Sequence, residues 1–456
     1  MKKKLVFTMT GILAGAAILG GCGGGTEKNA DSGSKTDASQ EESSTEESQE
    51  TDAEDGKSGE TVEITYTSRG NADEIKVYQQ AVDAFNEAQD EVHVTFEASP
   101  SDGYNQQLIT QLAGGTAADV IFVEDTIISQ LVNNGTIADL TDFLNSDESY
   151  VKPEDFDDSV WGASRKDDRI YGLSVDCNPV LLYYSPSMLE ELGCDDPQEL
   201  FEQGQWTWEN FDKICNTLVE NGKSGMVQSG DNIRLYNWVF ANGGTVWNGD
   251  TYKFDDKARE AFRYICEGLQ DGRFVYGGTL PDGQGEDAMF MSQQTGFIAA
   301  GRWLTKTFHD EGIDFDYIPY PSSDGTQYTP AQVACGYLCV NTNSDNLDAA
   351  MKFVSFYCGE QGQAARIEGV GTSVPSVKTL DSLMTDSGVP EHVDHILQVR
   401  ATGWTSGDAE VQDVMYNGFA DDTKAIFEEA YIGGEDPDAV IDKAEEEAAK
   451  IIADAQ

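Results

Sequence analysis

The feature that most restricts the fold is an alternation between two hydrophobic periods across residues 62–123. Residues 62–66 (VEITY) alternate apolar and polar with period two, which predicts a strand. Residues 73–89 then set Ile75, Val77, Ala81, Val82 and Phe85 at helical spacing. Residues 92–96 alternate again, and residues 104–114 read as a helix stopped by Gly114 and Gly115. Residues 119–123 form a continuous apolar run, the pattern of a strand covered on both faces. Strand, helix, strand, helix, strand at this spacing predicts a parallel α/β sheet. Ligands of such sheets sit beyond the carboxyl ends of the strands. That rule singles out two loops, residues 67–71 with Arg69 and Asn71, and residues 124–126 with Asp125. Asp125 also suits the cap of a helix beginning near Thr126, and the two roles are compatible.

The N-terminus reads as an export signal. Lys2, Lys3 and Lys4 precede an apolar, small-residue stretch over residues 5–19, short for a membrane span. Leu19, Gly20, Gly21 and Cys22 follow and resemble a lipobox. The resemblance implies cleavage after residue 21, a diacylglycerol on Cys22, and a chain held on the extracytoplasmic face of a cell membrane. Residues 27–60 contain no aromatic and no branched aliphatic side chain. Such a segment cannot bury enough apolar area to offset the entropy of ordering it. Residues 22–60 are therefore expected to be a disordered acidic tether.

The remaining ~400 residues exceed one typical domain and suggest two lobes. The net charge of −53 becomes −56 once the three leading lysines are removed. A field of that sign opposes nucleic acid and anionic membrane surfaces, leaving the lipid as the only membrane attachment. Setting Cys22 aside leaves seven cysteines, so at least one thiol is unpaired within a monomer. Cys335 and Cys339 lie four residues apart on an expected strand, roughly 13 Å, too far to share a bridge or a metal. The histidines show no HExxH pattern, and no metal or cofactor is expected.

Further along, residues 170–184 read as an extended segment leading to a helix near residues 186–192. Thr207 is placed to cap another helix opening at Trp208. Several short motifs now fall into a recognisable order: GGTAADVIF at 114–122, YGL at 171–173, LYYS at 182–185, WTW at 206–208, ANGG at 241–244 and GRW at 301–303. With the run over 349–361, this order and spacing resembles the family 1 extracellular solute-binding proteins, the sugar-type receptors of ABC importers. The resemblance covers about residues 61–450.

The resemblance implies a two-lobed, periplasmic-binding-protein-like α/β fold of type II with hinge crossings. The N-terminal lobe would comprise residues 61–176 and 335–378, and the C-terminal lobe residues 177–334 and 379–456. Crossings fall near residues 176–183 and 332–339, and the ligand lies in the cleft between lobes. A pyranose offers a weakly apolar face and a rim of hydroxyls, which aromatic rings and polar side chains match in turn. Trp303, after Gly301 and Arg302, is the leading stacking candidate, with Trp404 second. Trp238, Trp247, Asp176, Tyr183 and Tyr337 lie near the cleft by analogy; one of the two tryptophans is expected in the core, and packing is the competing role for the two tyrosines. Trp206 and Trp208 read as packing residues. Where some sugar-binding relatives carry an aromatic, this chain has Val123, so the 124–126 loop would have to act through polar groups alone. The expected partners are a carbohydrate and separate permease subunits, with the receptor itself a monomer. A polyamine, peptide or iron-chelate receptor and an exported glycoside hydrolase are the alternatives. Any two of 82 acidic residues could mimic a catalytic carboxylate pair, so composition supports no enzyme.

Overall fold

The structure, a computed structural model, describes residues 61–455 apart from 71, 102, 282, 283 and 368–370. The signal segment, Cys22, the tether and Asn71 lie outside the described residues. The body is a two-lobed α/β fold with one five-stranded sheet per lobe.

The first sheet takes β1 (Val62–Arg69), β2 (Val92–Ser99), β3 (Val120–Glu124), β4 (Leu173–Pro179) and β10 (Val333–Val340) in the order β2-β1-β3-β10-β4. The three strands read from the sequence are its parallel part, with β1 paired to β2 and β3. β10 adds antiparallel to both β3 and β4. The second sheet takes β5 (Leu181–Tyr184), β6 (Ser224–Gln228), β7 (Phe274–Tyr276), β8 (Thr295–Ala300) and β9 (Asp316–Ile318) in the order β7-β6-β8-β5-β9. Here β6 runs parallel to β7 and β8, while β5 is antiparallel to β8 and β9.

Helices cover these sheets because their apolar stripes need a partner. In the first lobe Phe85 of helix Ala72–Ala88 meets Phe353 and Phe356 of helix Leu347–Tyr357, with ring centroids 5.2 Å apart in each pair. Tyr66 of β1 joins this cluster through Phe96, Phe353 and Tyr357. In the second lobe Phe211 of helix Trp208–Glu220 packs against Trp206, Trp238, Phe274 and Phe297. Thr207 does cap that helix, its hydroxyl accepting from Asn210 N at 3.3 Å. The indole N–H groups of Trp206 and Trp208 donate to the carbonyls of Pro319 and Pro321. Each buried ring of this kind contributes roughly 1.5–3 kcal/mol.

The chain passes between sheets at points that are hydrogen-bonded to one another. Val180 alone separates β4 from β5, and its N–H donates to the carbonyl of Gln332, just before β10. Trp404 lies alongside, donating to Ala331 O at 3.1 Å and accepting from Val333 N at 2.7 Å. Residues 374–377 run alongside the first sheet, with Val374 bridged to Cys177 and Val377 to Phe156. The seven cysteines among the described residues are all free thiols, and all but Cys194 are buried.

Candidate ligand site at the lobe crossings

Strand direction decides which end of each sheet can hold a ligand. In the first lobe β3 ends at Glu124 opposite Gly336, and the remaining residues of β10 extend from there toward the crossing at Gln332. The carboxyl ends of β1 and β3 therefore point toward the second lobe. In the second lobe Ala300 at the end of β8 pairs with Leu181, immediately after the crossing. β6 runs parallel to β8, so its end at Gln228 lies on the same side. The carboxyl ends of both sheets thus converge on the crossings, the place the fold reserves for a ligand.

On the first-lobe side, Arg69 closes β1 and Glu124 closes β3. Arg69 Nη2 pairs with Glu124 Oε1, and the guanidinium lies 5.6 Å from the Phe122 ring centroid. Asn105 donates to the other carboxylate oxygen of Glu124 at 2.6 Å. This leaves Arg69 Nε and Asn105 Oδ1 buried without protein partners. Gly336 makes room for the cluster, since a Cβ there would strike the Phe122 ring. Asp125 lies inside the first turn of helix Asp125–Asn133, and Glu124 takes the cap position with no side-chain cap bond. Asp125 instead faces Ser406, a residue beyond the crossing at Trp404, and burial pushes its carboxyl up to about 6.

Asp176, in β4, is held by Arg366, whose Nη1 donates at 3.1 Å while Nη2 donates to Val175 O at 2.6 Å. The same guanidinium stacks 4.4 Å from the Tyr357 centroid. Burial raises the Asp176 carboxyl, and the neighbouring Arg366 charge opposes that rise.

On the second-lobe side the central residue is Trp303, one of few large apolar side chains left open, at 37% exposure. Gly301 permits its position, because a Cβ there would overlap the indole and come within 2.8 Å of Asn178 Cβ. Arg234, third residue of helix Asn232–Ala241, lies 5.9 Å from the Trp303 centroid. Its Nη1 donates to Gln332 Oε1 at 2.6 Å, and Gln332 N donates to Asn237 Oδ1 at 2.8 Å. Glu286 lies near enough to feel Arg234, yet burial still pushes its carboxyl up to about 7. Arg302 is fully buried, donates to Val389 O at 3.1 Å and lies against the Tyr317 hydroxyl. Asn178 Oδ1 and Trp404 Nε1 are buried and unpartnered. Buried polar atoms are nearly always satisfied by protein or ordered water, so these open positions are available to water or to a ligand.

The structure therefore sets Trp303 and Trp404 at the crossings and Arg69, Asp125 and Asp176 on the facing side, while Arg302, expected among the ligand contacts, is wholly buried beneath them. The remaining named side chains turn into the lobe interiors. Tyr183 donates to Gly301 O at 2.7 Å and contacts the Thr305 hydroxyl at 2.9 Å, bracing the Trp303 loop from below. Tyr337 donates to the carbonyls of Val160 and Trp161, each at 3.1 Å. Trp238 spends its N–H on Gln228 Oε1 at 3.0 Å within the aromatic core. Trp247 spends its own on Asp413 Oδ1 at 3.1 Å, with its ring stacked on Tyr416 and Phe419. His392 and His395 are each engaged elsewhere, by Asp316 at 2.6 Å and Gln198 at 2.9 Å. The sequence reading missed Asn105, Asn178, Arg234, Glu286 and Gln332. The signal for Arg234 was present, since it follows closely on the end of an unread strand, β6.

Two α/β lobes, joined by hydrogen-bonded crossings that both sets of strand ends face, define a cleft-type binding protein. The chain belongs to the bacterial extracellular solute-binding protein family, which matches residues 80–391. A binding protein of Brucella abortus (strain 2308) is 20% identical over 389 residues, 82% of this chain and 89% of its own. Among solved structures, an ABC substrate-binding protein from Listeria monocytogenes in complex with cycloalternan aligns with TM-score 0.73 at 22% identity. It covers 86% of this chain and 99% of that one. The sugar-binding protein MalE from Xanthomonas citri aligns with TM-score 0.73 at 16% identity, covering 86% and 98%. The GacH receptor of Streptomyces glaucescens aligns with TM-score 0.71 at 17% identity, covering 86% and 99%. Among the described residues no helix is long and apolar enough to cross a membrane.

Proposed function

We propose that this chain is the capture component of an ABC importer, taking a mono- or oligosaccharide into its interlobe cleft for delivery to membrane permease subunits. The observation that carries this reading is Trp303, an open indole at the crossings bordered by Arg234, Asn178 and Gln332. A flat ring beside hydrogen-bonding groups suits the apolar face and hydroxyl rim of a sugar. Neighbouring folds solved with cycloalternan, acarbose and maltotetraose support a carbohydrate over an amine or peptide. Residues 61–176 with 335–378 and residues 177–334 with 379–456 would rotate about the crossings to close on the ligand. Cys22 carries the lipid and residues 22–60 the tether, keeping a monomeric receptor at high effective concentration beside its permease. Loss of fatty-acid labelling in Cys22→Ser tests the anchor.

A thermal-shift panel of saccharides, polyamines, peptides and ferric chelates tests the ligand class. A ligand that binds only the folded state raises the melting temperature by mass action. Saccharides are expected to shift it. A shift from amines or peptides alone would overturn the reading.

A further inference from the structure

The chain has ten arginines, all among the described residues. In so acidic a protein an arginine finds a carboxylate easily, and eight do: Arg69, Arg165, Arg169, Arg259, Arg263, Arg273, Arg366 and Arg400. The two without an ion pair to a described carboxylate are Arg234 and Arg302; Arg234 lies beside the Trp303 ring, whereas Arg302 is turned into the lobe interior against Val389 and Tyr317. We propose that the saccharide captured here is acidic, with a carboxylate that Arg234 grips beside the Trp303 ring. This rests on the receptor reading given above and names its substrate class.

The geometry at Arg234 suits that group. Gln332 engages Nη1, so the Nε–Nη2 edge has no acceptor among the described residues. That edge presents two parallel N–H groups, the fork that matches a carboxylate in bidentate fashion. Arg234 also sits in the first turn of a helix of 10 residues whose first turn holds no acidic side chain. The positive end of the helix dipole therefore adds to its charge. The capping residue Asp231 is itself paired with Lys424 at 2.9 Å. Glu286 does not discharge the arginine, since no ion pair joins them and burial keeps its carboxyl partly protonated near pH 7. The protein's net charge does not forbid an anionic ligand. Surface charges more than about 8 Å away are screened at physiological ionic strength, so the adjacent guanidinium dominates.

The test is calorimetry on the full chain with matched pairs, galactotriose against trigalacturonate and maltotriose against its glucuronate-terminated counterpart. The acidic member of at least one pair is expected to bind about tenfold tighter or more. Arg234→Gln should shrink that preference to about twofold or less, whereas Arg234→Lys retains part of it and the preference weakens with added salt. Unchanged melting of both variants shows that the fold is intact. Equal or tighter binding of the neutral members, unaffected by Arg234→Gln, would overturn the acidic-ligand inference and leave the receptor reading standing. Binding by no saccharide of either kind would bring down both.

Discussion

Asp413 accepts the indole N–H of Trp247 at 3.1 Å, and this contact fixes the segment that follows Trp404 to the second lobe. The same carboxylate takes Tyr236 Oη at 2.7 Å and Asn232 Nδ2 at 3.3 Å. Removing it strands the buried Trp247 N–H and takes one bond each from Tyr236 and Asn232, which keep Tyr252 at 2.9 Å and Thr423 at 2.7 Å. Asp413→Ala should cost about 3 kcal/mol, read as a lower urea midpoint at unchanged m-value. A loss below about 1 kcal/mol would mean that water replaces the carboxylate there.

Arg366 and Asp176 form a pair in which each partner compensates the other's burial, with Arg366 also holding two backbone carbonyls. Taking away one member of a buried pair costs more than the pair contributes. Arg366→Met is expected to lower unfolding free energy by about 3–5 kcal/mol, and Asp176→Asn by less. Comparable small losses for both would show that the pair is solvated.

Two buried groups pull the pH profile in opposite directions. Burial raises Asp125 from 3.8 to about 6, so the folded state holds that proton more tightly than the unfolded chain. Its contribution is full below pH ~3.8 and disappears as pH climbs through ~6, about 3 kcal/mol in all. Burial lowers His395 from 6.5 to about 4, so its contribution is full above pH ~6.5 and disappears as pH falls through ~4. The two nearly cancel between pH 4 and 6. Asp125→Asn should therefore be more stable than the natural protein at pH 7 and should lose stability more steeply in acid. His395→Gln should instead leave a decline from pH 4 toward pH 6. Parallel melting curves across pH for all three proteins would contradict this assignment.

How much of this was legible in the sequence follows from the range of each signal. The three parallel strands and their helices were readable because period two and period 3.6 are local. The antiparallel additions were readable as extended segments but not in their places, since Val333–Val340 is positioned by pairing with β3 and β4 far away in sequence. Trp303 stands out in the sequence through its GRW motif, and the structure leaves its ring open. Trp238 and Trp247 carry the same chemistry in sequence, and only the partners of their N–H groups, Gln228 and Asp413, show that both are interior. Asn178 and Gln332 fall within the crossings that the family resemblance implies, but nothing in the sequence singled out their side chains, whose role comes from the approach of the two crossings.

Gly301 offers a test of the Trp303 position that leaves the backbone unstrained. An added methyl at Gly301→Ala overlaps the indole, which is open enough to swing away, and comes within 2.8 Å of Asn178 Cβ, which a small shift of β4 relieves. Ligand affinity should fall about tenfold or more while the melting temperature changes by only a few degrees. Full affinity in this variant would mean that the ring is not where the ligand sits.

The most direct measurement is calorimetric titration of the natural protein and Trp303→Ala with whichever saccharide raises the melting temperature most. An open aromatic anchor predicts a loss of about 2 kcal/mol or more in binding free energy, roughly thirtyfold in Kd, with the unfolding midpoint nearly unchanged. Equal affinity in the two proteins would contradict a saccharide site at the lobe crossings.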